Sequence, residues 1–193
     1  MFRLKLPTDP RWVNIVEKNI EEILTDHAYC EQKAASNAIS IVVKFPEKSD
    51  LVTAVLDIAQ EELQHFKMVH DKLLARGYVL GRERKDEYVN LLYDFMRKGS
   101  SREHQLTDRL LFGAMIEARS CERFKVLSEN INDEDLKVFY HDLMISEANH
   151  YTVFLSFARK YTLTEDIDAR WEQWLEYEGE IIRNFGKKET IHG

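Results

Sequence analysis

The sequence predicts an all-α protein built around four long helices. Seven Gly and three Pro in 193 residues leave long stretches without helix-breaking residues. Along four of these stretches apolar residues recur every three or four positions, which is the spacing of one face of an α-helix, and we find no alternating strand pattern. A hydrophobic content of 44% supplies a core and excludes a chain that is mainly disordered.

The first long helix is predicted to end at Pro46. A short helix from Pro10 to Asn19 precedes it and runs or bends into it, and Pro10 is tolerated because it stands in a first turn. The long helix has its apolar seam over 24–45. Pro46 ends it, since the residue before a proline avoids the helical conformation.

The second long helix is predicted between Ser49, a good N-cap, and Gly77, a residue that suits a helix C-terminus. A charged connection over 76–86 follows, and then a short helix over 87–98 that Gly99 breaks. This short helix is expected to lie in the crossover between the two halves of the bundle.

The third long helix is predicted to begin near Arg102 and has its seam over 106–127. The fourth has its seam over 136–157, and acidic residues after Asn132 favour a helix start there. Thr164 is predicted to cap a last helix that runs through 171–181. We therefore expect a four-helix bundle with a helical crossover insertion and extra terminal helices, in a single domain over 1–193.

Charge and composition exclude several classes of protein. With 27 basic and 34 acidic residues the net charge is −7, which argues against a general nucleic-acid coat protein. Two cysteines, Cys30 and Cys121, exclude a disulfide framework. The chain has neither an apolar run long enough to span a membrane nor the apolar region of a signal peptide near its start. We expect a cytoplasmic monomer.

Six charged or polar residues occupy seam positions that should be apolar. A lone Glu or His at such a position usually has a structural role. Here four Glu and two His do so together, and four of the six form two Glu-x-x-His pairs whose side chains share one helical face. The six residues are Glu31, Glu62, His65, Glu117, Glu147 and His150.

Their spacing shows the same arrangement twice. Glu117 follows Glu31 by 86 residues, and Glu147 follows Glu62 by 85. Four carboxylates are too much charge to bury without cations, and two divalent irons neutralise them. Two Glu can bridge the irons, while the other two Glu and the two His bind one iron each. These six residues therefore predict the di-iron carboxylate site of ferritin-like bundles, with iron or manganese favoured over zinc.

Nearby residues compete for ligand roles or support them. Glu61 and Glu122 point away from the seam on ideal helices, so a solvated or supporting role is favoured for both. Cys30 and Cys121 are interpreted as small buried fillers. His27 lies one turn before Glu31, and we favour packing or a simple hydrogen bond for it.

Five stretches of the chain carry a resemblance to one known family. They read LPTDPRWV at 6–13, DHAYCEQKAA at 26–35, EELQHF at 61–66, IEARSCERF at 116–124 and EANHY at 147–151. Together they cover nearly the whole bundle, and the fourth is the most specific. On these stretches the chain resembles the tRNA 2-methylthio-isopentenyladenosine hydroxylases of bacteria.

The resemblance implies a non-haem di-iron monooxygenase that acts on the hypermodified adenosine next to the anticodon of tRNA. The isopentenyl group would be hydroxylated with O₂, and the six Glu and His residues would hold the two irons. Because the sequence has no flavin, nicotinamide or iron–sulfur motif, the electrons would come from a separate reductase protein.

Local basic clusters are the candidates for binding the tRNA anticodon stem-loop. Two clusters flank the short inserted helix and can supply phosphate contacts without sequence readout. Their members are Arg82, Arg84, Lys85, Arg97, Lys98 and Arg102. The basic residues Arg183, Lys187 and Lys188, in an end region over 183–193 that we expect to be loose, are the next candidates.

Three alternative functions are kept open. The first is a ferritin-like protein that oxidises or stores iron, against which the inserted helix and the Trp-rich last helix argue. The second is a di-iron oxygenase acting on a small molecule or fatty chain. The third, a metal-stabilised interaction module without enzymatic activity, explains the buried acids poorly.

Overall fold

The computed structural model describes residues 2–185 and residue 191. Over these residues the chain has one short 3₁₀ helix, Pro10–Trp12, and seven α-helices without any strand, which confirms the all-α prediction. The α-helices are α1 (Val13–Lys18), α2 (Ile20–Lys44), α3 (Ser49–Ala75), α4 (Glu87–Asp94), α5 (Arg102–Asn130), α6 (Glu134–Tyr161) and α7 (Ile167–Phe185).

The described residues fall into two compact units. Unit one comprises 2–13 and 86–185, and unit two comprises 14–85 and residue 191. Each unit contains one pair of long helices that neighbour each other in the sequence. The single domain predicted over 1–193 stays a prediction.

Unit two is built on the α2–α3 hairpin. A four-residue connection makes the two helices antiparallel neighbours, and their apolar seams pack against each other. Gly77 ends α3 as predicted. It has a φ of +76°, the Gly77 N–H donates to the Leu74 carbonyl, and the Tyr78 N–H donates to the Leu73 carbonyl. This pattern is a Schellman motif, and only glycine adopts its backbone conformation without strain.

Unit one is built on the α5–α6 pair, with α4 and α7 packed beside α5. The Ser101 side chain caps α5 by accepting from the His104 N–H, and Asp133 caps α6 by accepting from the Leu136 N–H. Trp174 of α7 is completely buried and lies against Phe95 and Phe112. The Trp-rich last helix therefore supplies core to this unit.

The predicted N-cap of the last helix is wrong. Thr164 donates its backbone N–H and its hydroxyl to the Glu103 carboxylate, and the helix begins only at Ile167. Asp166 performs the capping, because its side chain accepts from the N–H groups of the first helical turn. Thr164 instead donates to Glu103, which lies 61 residues earlier in the sequence, and no local sequence pattern predicts such a contact.

Other bounds also differ from the sequence-based expectation. Ser49, the predicted N-cap of α3, is its first helical residue, and Lys48 takes the cap position without a side-chain hydrogen bond. The inserted helix α4 ends at Asp94, four residues earlier than predicted, and Arg97 beyond it pairs with Asp108. Part of the end region expected to be loose, 183–193, is helical, since α7 extends to Phe185. Ile191 is also buried, and its backbone N–H donates to Asp26 at 2.7 Å. Lys187 and Lys188 lie outside the described residues.

Candidate metal centre

In unit two, the predicted ligands Glu31, Glu62 and His65 come together. Glu31 lies on α2 and the other two lie one turn apart on α3. All three are buried, and each offers a ligand atom within 4.8 Å of the others. The Nδ1 atom of His65 is 3.4 Å from a Glu62 oxygen and 3.6 Å from a Glu31 oxygen. We call these three residues the first triad.

His27 contacts the first triad from the preceding turn of α2. The fully buried ring places Nε2 at 2.5 Å from Oε1 of Glu31. Burial would raise the pKa of the Glu31 carboxyl, but the attraction of His27 and the hydrogen bonds with Glu62 and His65 outweigh it and lower the pKa to about 2. His27 therefore makes the hydrogen bond expected from the sequence, and the acceptor is the predicted metal ligand Glu31.

In unit one, the predicted ligands Glu117, Glu147 and His150 also come together. Glu117 lies on α5 and the other two lie one turn apart on α6. All three are buried, and their ligand atoms lie within 4.8 Å of one another. The Nδ1 atom of His150 is 3.4 Å from Oε2 of Glu147. We call these three residues the second triad.

The donor set of each triad suits one divalent cation. Two carboxylates and one imidazole supply oxygen and nitrogen donors, which iron and manganese accept, and two negative charges balance a divalent ion. Neither triad includes a thiolate. Cys121 is buried and its thiol donates to the Met144 carbonyl, and burial, with the nearby Glu147 and Glu122 carboxylates, raises its pKa to about 12. A neutral thiol of this kind is a packing group.

The Glu122 carboxylate accepts hydrogen bonds from residues that belong to neither triad. Its two oxygens accept from the backbone N–H and the hydroxyl of Thr8, at 2.8 Å and 2.6 Å, and from Arg119 at 2.9 Å. Glu61, the other competitor, is exposed on α3. These placements support Glu117 over Glu122, and Glu62 over Glu61, as candidate metal ligands.

A pair of conservative variants separates the roles of Glu117 and Glu122. We expect Glu117→Gln to lower the amount of iron bound per chain, because the amide removes one of the two negative charges of the second triad. Glu122→Gln should leave the bound iron unchanged. Metal analysis of the purified, iron-loaded variants gives the answer, and the opposite result would make Glu122 the ligand.

A buried charged cluster lies between α5, α4 and α7, and it was not predicted from the sequence. The completely buried Arg119 donates to Glu178 of α7 at 2.8 Å and to the Leu6 carbonyl at 3.0 Å, and the Tyr88 hydroxyl donates to the same Glu178 oxygen at 3.3 Å. A second cluster centres on Asp108, which accepts from Arg97 and Arg170. The only signal in the sequence was the charged character of the IEARSCERF stretch.

The basic residues proposed to contact tRNA have different surroundings. Arg82 and Lys85 are exposed in unit two, and Arg84 pairs with Glu22. In unit one, Lys98 pairs with Asp94 and Arg102 is exposed.

Arg97 is the least available of these residues in the described structure. Its guanidinium donates to both Asp108 and Glu165 at 2.7–2.9 Å. These ion pairs commit Arg97 to the packing of unit one, so we no longer count it among the candidate tRNA contacts.

Comparison with known proteins decides the family. The family model described as tRNA-(MS[2]IO[6]A)-hydroxylase (MiaE) matches residues 2–193. The chain belongs to the MiaE family. A MiaE-type relative from Pseudomonas putida, named tRNA 2-(methylsulfanyl)-N(6)-isopentenyladenosine(37) hydroxylase, is 36% identical over 98% of this chain and 91% of its own length. A relative of the same name from Salmonella typhimurium is 30% identical over 98% of this chain and 87% of its own length.

A solved structure places this MiaE chain among the ferritin-like proteins, as predicted. It is titled "Protein 43 with aldehyde deformylating oxygenase activity from Synechococcus". It matches with a TM-score of 0.91 and 31% identity, over 98% of this chain and 95% of that one. Among the described residues, no helix combines the length and the apolar character needed to cross a membrane.

Proposed function

We propose that this protein hydroxylates the isopentenyl group of 2-methylthio-isopentenyladenosine, next to the anticodon of tRNA, and that the two triads hold the two irons of its di-iron centre. The match of the MiaE family model to residues 2–193 carries the proposal. The buried carboxylate and imidazole donors in each unit support it, because they supply a place for one iron each. A tRNA substrate also implies that the enzyme acts in the cytoplasm.

The reaction consumes O₂, two electrons and two protons, and it yields one hydroxyl on the substrate and one water. Bound iron supplies the activation of O₂. The chain's own residues hold the metal through two carboxylates and one imidazole in each triad, and burial of all six keeps bulk water away. The two electrons come from a separate reductase protein, since the sequence has no flavin, nicotinamide or iron–sulfur motif.

The test is a reaction of the iron-loaded protein with O₂, a chemical reductant and bulk tRNA that carries the modified adenosine, followed by mass analysis of the nucleosides. We expect the 2-methylthio-isopentenyladenosine to gain one oxygen atom. Transfer RNA from cells that cannot attach the isopentenyl group serves as the control and should stay unchanged. A modified nucleoside that gains no oxygen in the complete reaction would contradict the proposal.

A second candidate function comes from the Synechococcus structure, whose title names an aldehyde deformylating oxygenase activity. By analogy, this chain would cleave a fatty aldehyde. The same iron-loaded preparation, given a long-chain aldehyde in place of tRNA, distinguishes the two. Release of formate at a rate above that of tRNA hydroxylation would favour the second candidate.

Arg82 and Lys85, in the connection between α3 and α4, are the proposed phosphate contacts of unit two. Each contact to phosphate should contribute about one unit to the dependence of log Kd on log salt concentration. We expect the charge reversal Arg82→Glu/Lys85→Glu to raise the KM for tRNA and to flatten the salt dependence by about two units, with bound iron unchanged.

The matched control reverses two other exposed residues of unit two, Lys18→Glu/Lys44→Glu, and makes the same change in net charge. It should shift KM much less. If both double variants raise KM equally, overall charge and not a local contact explains the effect, and the docking residues lie elsewhere.

A further inference from the structure

The two triads differ one helical turn before their first Glu. His27 precedes Glu31 by four residues on α2. The spacing of 86 residues that relates Glu31 to Glu117 relates His27 to Gly113, which precedes Glu117 by four residues on α5. One unit therefore has an imidazole at this position, and the other has no side chain at all.

In unit two, the imidazole makes a direct contact with the triad. Its Nε2 is 2.5 Å from Oε1 of Glu31, while Oε2 of the same carboxylate lies 3.6 Å from Nδ1 of His65. The two oxygens thus have different partners, one on each side. A carboxylate held in this way cannot rotate about its last bond without breaking the contact to His27.

In unit one, an aromatic ring occupies the equivalent position. A Cβ on Gly113 would lie 3.1 Å from two ring atoms of Phe154, so the ring packs directly on the α5 backbone. Phe154 is buried and lies one turn after His150 on α6. The spacing of 85 residues that relates Glu62 to Glu147 relates Phe154 to the smaller Val69 in α3. At these two equivalent positions the α2–α3 hairpin therefore has His27 and Val69, whereas the α5–α6 pair has Gly113 and Phe154.

We propose that His27 is a positioning residue for one metal only: it fixes the Glu31 carboxylate, so that the ion bound by the first triad depends on His27 and the ion bound by the second triad does not. This proposal rests on the proposed function, because it assumes that each triad binds a metal. The physical basis is general, since a group that orients a ligating side chain lowers the cost of organising the site. Loss of such a group typically weakens metal affinity by about 10–100-fold.

The experiment titrates the metal-free full-length protein with Co²⁺ alone, which is not oxidised by air in such sites and whose visible absorption reports its coordination. In the parent we expect two equivalents of bound Co²⁺. In His27→Leu, one equivalent should bind about 10–100-fold more weakly with an altered absorption band, and the other should bind as in the parent. His27→Gln, whose amide can still donate to Glu31, should restore most of the lost affinity.

Thr25→Val is the matched control for a general loss of stability. Thr25 is buried on the same helix, two residues from His27, and its hydroxyl accepts from the Gly81 N–H at 3.4 Å without contacting the triad. Both equivalents should bind to this variant as in the parent. If His27→Leu does not fold, His27→Asn replaces it, because the shorter amide does not reach the carboxylate and should show the same weakened equivalent.

The outcomes separate the two hypotheses. A parent protein that binds fewer than two Co²⁺ contradicts the proposed di-iron function itself. A parent that binds two, with His27→Leu or His27→Asn binding both as tightly as the parent, overturns only the role of His27. Equal weakening of both equivalents, or equal affinities for His27→Asn and His27→Gln, overturns it as well.

Discussion

Replacement of Glu147 by alanine is expected to abolish hydroxylation of tRNA and to remove iron from the second triad. Glu147 is 2% exposed and lies beside His150 and Glu117, so water cannot readily replace the lost carboxylate. The variant leaves one negative charge to balance a divalent ion in a buried place, which is unfavourable. Since loss of a group that only orients a ligand costs about 10–100-fold in affinity, loss of a ligand should cost more than about 100-fold.

The measurement combines iron analysis of the purified protein with the nucleoside assay. Glu61→Ala is the control, because Glu61 is a glutamate on α3 that adjoins the proposed ligand Glu62 but is exposed. It should keep both irons and the activity of the parent. Two irons and full activity in Glu147→Ala would show that the second triad is not a metal site.

The triads were predictable from the sequence because each depends on local helix geometry. A Glu and a His three residues apart must share a face of the helix, wherever that helix lies in the protein. Glu62 with His65 and Glu147 with His150 are pairs of this kind. The seam then identified the single Glu on the neighbouring helix, and antiparallel packing of adjacent helices brought it to the pair.

Contacts between residues far apart in the sequence were not predictable in this way. Arg97 looked like a free basic residue in a connection, but Glu165, 68 residues later, and Asp108 bind it. Thr164 was predicted to be an N-cap, but its backbone N–H and its hydroxyl donate to Glu103. Such pairs depend on tertiary packing, and a single sequence does not show which distant residue a charged side chain will contact.

The largest effect on stability is expected for Arg119→Met. Arg119 is completely buried, and its guanidinium donates to Glu178, to Glu122 and to the Leu6 carbonyl. Methionine fills a similar volume but leaves two buried carboxylates without their cation. Breaking a buried ion pair by removing one partner costs about 3–5 kcal/mol, so we expect the free energy of unfolding to fall by about that amount at pH 7.5.

The same variant should show a characteristic pH dependence. Burial raises the pKa of the Glu178 carboxyl above its ordinary value in the parent, although Arg119 opposes this rise. Without Arg119 the pKa must rise further. A carboxyl with a raised pKa in the folded state binds its proton there before it does in the unfolded chain, so lowering the pH from 7.5 towards 5 stabilises the folded variant relative to the unfolded one.

Urea unfolding of the parent and of Arg119→Met at pH 7.5 and pH 5 measures both effects, and the difference between the two proteins should be smaller at pH 5. Lys125→Met on the same helix is the control. Lys125 pairs with Glu129 on the surface, where an ion pair contributes little, so its removal should change stability slightly and equally at both pH values. A difference for Arg119→Met that is the same at both pH values would mean that Glu178 does not take up a proton when its cation is lost. The buried charged cluster between α5, α4 and α7 would then stabilise the fold through packing alone, and the charges of Arg119 and Glu178 would be incidental to it.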